Sequence, residues 1–107
     1  MKKYNVKITV VKTVSSDELF TNSLENEVAS GQAKTCPKLR EGQEFIVGPT
    51  GDIPEGFCHW AWADIHRDVN ILRFGGQFPW MKENVRSAYI SCTDGLRPVI
   101  FKLEAVD

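Results

Sequence analysis

The sequence predicts an α+β domain in which one long helix and one short helix pack on a mostly antiparallel sheet. Three observations carry this expectation. Apolar and polar residues alternate near both ends of the chain, an Asp-Gly pair divides the C-terminal alternation into a hairpin, and one central stretch repeats its apolar residues at the helical period. Strands flanking a helix in this order belong to sheets with helices on one face. The chain of 107 residues corresponds to a single domain, residues 1 to 107, with no internal repeat and no linker.

The first strand spans residues 4 to 12. There Tyr4, Val6, Ile8 and Val10 alternate with Asn5, Lys7 and Thr9, the period of a strand with one buried face. Ser15 and Glu18 then have the spacing of a capping box, and Val14 and Leu19 occupy the positions of a hydrophobic staple. These predict a short helix over Ser16 to Leu24. Small polar residues without a period make Glu25 to Lys38 a loop or irregular crossing. A second strand is expected over Glu44 to Val47, ended by the turn residues Gly48, Pro49, Thr50 and Gly51.

The segment Ile53 to Phe57, which holds Pro54 and Gly56, leads into the long helix, Cys58 to Phe74. At about 100° per residue, Cys58, Ala61, Trp62, Ile65, Val69 and Leu72 fall within about 60° of one line, which is a core-facing stripe. Gly75 and Gly76 supply the positive φ that ends helices. Trp60, Ile71 and Phe74 form a second apolar group beside Asp64 and Arg67, and it is covered either by the loop Gln77 to Met81 or by another chain. At the C-terminus, Ala88, Ile90 and Cys92 alternate with Tyr89 and Ser91. Asp94 and Gly95 give the turn, Pro98 falls at a strand start or an edge, and Val99, Phe101 and Leu103 resume the alternation.

Composition narrows the partners. The chain carries 13 Lys and Arg against 14 Asp and Glu, interspersed, for a formal net charge of -1. Phosphate-rich partners draw affinity from clustered cations, so a dedicated nucleic-acid role is disfavoured. No apolar run reaches the roughly 20 residues needed to cross a bilayer, and the start of the sequence lacks the apolar core of a signal peptide. No membrane partner and a cytoplasmic location are therefore expected. Three Cys, an odd number with no Cys-x-x-Cys pair, indicate reduced thiols and neither a disulfide framework nor a ribbon-type zinc site.

Cys58 is the residue with the most chemical interest. It lies at the expected helix start, where unpaired N–H groups and the helix dipole favour a thiolate, and His59 follows it as a candidate base. It also lies on the core stripe, where a cysteine acts as a small hydrophobe, so packing and reactivity both remain open. Cys92 is a candidate resolving partner that alternation turns toward the core, and Cys36 precedes Pro37 in a loop of unfixed position. A metal site from Cys36, Cys58, Cys92 and His59 has suitable soft donors but matches no closed-site spacing, and no cofactor is expected. His59 and His66 are seven positions apart on one helix, too far along its axis to share a metal, and His66 reads as a surface residue. Asp64 and Arg67 have the spacing of an exposed helical ion pair, Asp94 serves its turn, and Arg97 is available to a carboxylate or to the sheet edge.

Four strings stand out: CPKLREGQEF (Cys36 to Phe45), PEGFCHWAWADI (Pro54 to Ile65), FGGQFPWM (Phe74 to Met81) and CTDGLRPVIFKLE (Cys92 to Glu104). Together they resemble the signature of a family of small uncharacterised prokaryotic proteins. The resemblance covers most of the chain except Ser15 to Thr35, and it implies no reaction, cofactor or catalytic residue. It does imply where to look, because the strings hold every Cys and every Trp. If they converge, they make an aromatic pocket near Trp60, Trp62, Phe78 and Trp80 with thiols close by.

Two functions compete on these grounds. One is a non-enzymatic binding or interaction domain, homo-oligomeric or joined to a small protein partner or small-molecule ligand, that uses Trp60, Trp62, Asp64, Phe78, Trp80 and Arg97. The other is a thiol-dependent enzyme or a redox- or metal-linked protein that uses Cys58, His59 and Cys92 or Cys36.

Overall fold

A computed structural model describes residues 2–20 and 31–107. The chain forms β1 (Asn5–Thr13), α1 (Ser16–Leu19), β2 (Glu44–Val47), α2 (His59–Arg73), β3 (Ser87–Ser91) and β4 (Val99–Val106). The strands make one sheet in the order β2-β1-β4-β3, and every neighbouring pair is antiparallel. The α+β expectation therefore holds.

Alternation explains how the sheet meets its helix. Val6, Ile8 and Val10 of β1 and Val99, Phe101 and Leu103 of β4 are buried on one face, where Ala61, Ile65, Val69 and Leu72 of α2 complete the core. The opposite face carries a charged row, in which Lys7 lies between Glu44 and Glu104 at 3.9 and 3.8 Å. The β1–β4 ladder shifts register between Val10 and Lys12, and Val11 is left half exposed at that irregularity.

Helix termini follow their signals. At α1 both halves of the capping box form: the Ser15 side chain accepts from the first turn, and the Glu18 carboxylate accepts the Ser15 N–H at 3.0 Å. Residues 21–24 of the expected short helix lie outside the described residues. At the end of α2, the Gly75 N–H donates to the Leu72 carbonyl and the Gly76 N–H to the Ile71 carbonyl, with Gly75 at φ 82°. This pair of bonds is the Schellman closure that a glycine at this position permits.

Three expectations need correction. Asp94 and Gly95 do not form a two-residue hairpin turn, since seven residues, Cys92 to Pro98, connect β3 to β4. The Asp94 carboxylate instead accepts the N–H groups of Leu96 and Arg97, and this local side-chain-to-backbone bonding outcompetes the tight turn. Arg67 pairs with its neighbour Asp68 at 3.0 Å and not with Asp64, whose carboxylate is taken by Thr93. The loop Gln77 to Met81 does not cover the second apolar group of α2. It buries Phe78 in the core and leaves its own Trp80 exposed; of the group, Ile71 is partly buried against the core, while Trp60 and Phe74 stay exposed.

Candidate thiol-lined cavity

The N-terminus of α2 is held against two loops, and a cavity of about 520 Å³ lies among them. Its wall consists of Cys36 to Leu39 from the loop before β2, Cys58, Trp60 and Ala61 from the helix start, Cys92 to Arg97 from the β3–β4 connection, and Val99 at the start of β4. Every one of these residues belongs to three of the four strings singled out above. The fourth string, FGGQFPWM, ends the helix and contributes none.

Short polar contacts fix the three walls relative to one another. Asp64, on α2, accepts the Thr93 N–H at 2.8 Å and the Thr93 hydroxyl at 3.0 Å. The Trp60 indole N–H donates to the same hydroxyl oxygen at 3.3 Å. Within the loop, the Arg97 Nε donates to the Asp94 carboxylate at 3.2 Å, and its Nη1 reaches the Ala33 carbonyl at 3.1 Å. Arg97 thus ties the β3–β4 connection to the loop that carries Cys36. Partial burial alone would raise the Asp94 pKa. The N–H groups of Leu96 and Arg97 and the Arg97 guanidinium outweigh it and hold the carboxyl below its ordinary value.

All three thiols are free and partly buried. Cys92 closes the β3–β4 ladder: its N–H donates to the Val99 carbonyl at 3.0 Å, and its Sγ accepts the Val99 N–H at 3.3 Å. Cys58 is the N-cap of α2, and its side chain makes no capping hydrogen bond. His59 is exposed and makes no side-chain hydrogen bond or ion pair among the described residues, so it does not stand as a base against Cys58. Among the described residues no three His, Cys, Asp or Glu side chains converge closely enough to hold a metal ion.

The expected cluster of aromatic residues divides. Trp60 lines the cavity, but Trp62 turns to the core side, edge-on to Phe57 at 6.2 Å and 4.9 Å from the His66 ring. Phe78 is buried with Trp80 against it at 5.3 Å. Trp60 and Phe74 also fail to form one surface, because they are fourteen positions apart, about 21 Å along the helix. The Phe74 ring instead meets the cations of Lys3 and Arg73.

Sequence reasoning named Cys36, Cys58, Cys92, Trp60 and Arg97 as candidates and missed other wall residues, among them Lys38, Leu39, Thr93 and Leu96. Their membership in the distinctive strings was the available signal. Compared with known proteins, the chain matches no family model, no curated protein and no solved structure. Among the described residues no helix is long and apolar enough to cross a membrane.

Proposed function

We propose that the chain is a small-molecule-binding domain whose ligand occupies the thiol-lined cavity. The observation that carries this reading is the origin of the wall. Three segments far apart in the chain, each containing one cysteine and each part of a distinctive string, border a single volume. A volume of about 520 Å³ falls within the range of small-molecule sites, roughly 300 to 1,000 Å³.

The wall chemistry describes the ligand. Leu39, Ala61, Leu96 and Val99 receive an apolar body, and the Trp60 ring offers an aromatic face. Lys38 stands on the same wall and favours a ligand with an anionic end.

The test uses Trp60 as the reporter in a Trp62→Phe, Trp80→Phe background, titrated with 8-anilinonaphthalene-1-sulfonate, an apolar aromatic anion. Saturable quenching at one probe per chain is the expected result. Gly95 lines the cavity without positive φ, and an added Cβ there meets nothing within 4 Å. Gly95→Phe therefore fills space without straining the backbone, and it is expected to weaken binding by about tenfold, or 1.4 kcal/mol. Equal affinity in Gly95→Phe, or quenching that never saturates, overturns the reading.

A further inference from the structure

The wall of the cavity holds every cysteine in the chain, and none of them is disulfide-bonded. A cysteine that only fills a core is enclosed by apolar atoms, whereas these three border volume that a molecule can enter. Their sulfurs are not equivalent. Cys92 Sγ is engaged by the Val99 N–H, while the Cys58 side chain, at the N-cap of α2, makes no capping bond.

Two further features lie within one turn of Cys58. The first N–H groups of a helix have no carbonyl partner inside it, and here the cap side chain supplies none. Two of the residues bearing them, Trp60 and Ala61, stand on the cavity wall, and no Asp or Glu occupies that turn to compete for an incoming oxygen. An uncommitted thiol, backbone donors and an apolar wall therefore occur together. An electron-poor alkene conjugated to a carbonyl uses all three. Its carbon skeleton fits the apolar wall, its oxygen accepts from the helix N–H groups, and its β-carbon is open to sulfur.

We propose that the cavity captures α,β-unsaturated carbonyl compounds covalently, with Cys58 as the nucleophile. The inference rests on the ligand-binding reading above and names a substrate class for that site. In the step, a bond forms between Cys58 Sγ and the β-carbon as the alkene π bond breaks, and the displaced electron pair passes to the carbonyl oxygen. The thiol proton ends on the α-carbon, which leaves a thioether and an intact carbonyl. Nothing is oxidised or reduced overall, and no group leaves.

The full chain is treated with 2-cyclohexen-1-one and followed by intact-mass spectrometry and peptide mapping, with glutathione as the reference thiol. The expected result is one adduct per chain, at Cys58. It forms about tenfold or more faster than the glutathione adduct, at a rate that saturates with probe concentration because binding precedes reaction. Cys58→Ser abolishes the adduct, while Cys36→Ser and Cys92→Ser retain it. A Cys58 that reacts no faster than glutathione, or an adduct on Cys36 or Cys92 in its place, overturns the proposal. Titration of the unaltered chain with the anilinonaphthalene sulfonate, run beside the capture assay, separates the two claims. Retained binding without accelerated capture leaves the binding reading standing and sinks the covalent one, whereas loss of saturable binding in the unaltered chain sinks the reading beneath it.

Discussion

The Asp64 carboxylate accepts two hydrogen bonds from Thr93, at 2.8 Å from its backbone N–H and 3.0 Å from its hydroxyl. The pair joins the second turn of α2 to the start of the β3–β4 connection, so the helix wall and the loop wall of the cavity have a fixed separation. Hydrogen bonds to a charged group contribute about 1.5 to 3 kcal/mol, and partial exposure places this one at the low end. Asp64→Ala is therefore expected to lower stability by about 1 to 2 kcal/mol in urea denaturation. It should also weaken probe binding at Trp60, because Thr93 loses the partner that holds its hydroxyl against the indole N–H. Unchanged stability together with unchanged binding would show that the loop is held by other contacts.

That contact illustrates which parts of the site were legible in the sequence. The helix start was, because Gly56 and the apolar stripe beginning at Cys58 define it, and α2 runs from His59 to Arg73 with Cys58 as its cap. The two strand alternations were legible for the same reason, since a one-residue slip would turn Val6, Ile8 and Val10 away from the core. The position of Cys36 was not. It depends on the loop before β2 lying against the β3–β4 connection, through contacts such as Arg97 to the Ala33 carbonyl, which no local period encodes. The aromatic residues were misjudged by composition. Trp60 and Trp62 are two positions apart and so point about 200° apart on the helix, which sends one to the cavity and the other to the core.

Arg73 makes the turn after β2 intolerant of a side chain. It is buried, and its guanidinium donates to the Pro49 carbonyl at 2.8 Å and to Asn70 Oδ1 at 3.0 Å. Gly51 has φ 76°, and a Cβ added there would lie 2.4 Å from Arg73 Nη1. Gly51→Ala is thus penalised twice, by left-handed backbone and by displacement of a buried cation, for a loss of about 2 to 4 kcal/mol. Gly42 shares the backbone penalty at φ 87° but has nothing within 4 Å. Gly42→Ala should cost about 1 kcal/mol. Equal losses for the two variants in chemical denaturation would mean that Arg73 moves aside without cost.

Phe101 is the largest fully buried side chain and occupies the central strand β4, 5.5 Å from the ring of Phe57. Replacing it with Ala removes that aromatic contact and leaves a void where strand and helix meet. The expected loss is about 3 to 5 kcal/mol. Ile46, on the edge strand β2, is 52% exposed. Ile46→Ala should stay within about 0.5 kcal/mol of the unaltered chain. The contrast, read from urea midpoints, tests whether the core lies between β1, β4 and α2.

The Asp94 carboxyl links the cavity rim to pH. Burial pushes its pKa up, but the two N–H groups and the Arg97 guanidinium prevail, so the folded value lies below the unfolded one. A group with a depressed folded pKa stabilises the fold above its unfolded pKa, and that contribution is lost as pH falls through the folded value. Asp94→Asn keeps an oxygen for the Leu96 and Arg97 N–H groups and removes only the charge. The stability gap between the two chains should be fully present at neutral pH, shrink below about pH 4 and close under more acidic conditions. The Asp94 side chain is 35% exposed, so the gap at neutral pH is expected to be less than about 1 kcal/mol and to fall with added salt. Urea midpoints at neutral and acidic pH measure it. A gap that stays constant across that range would assign the effect of the substitution to loop geometry and not to charge.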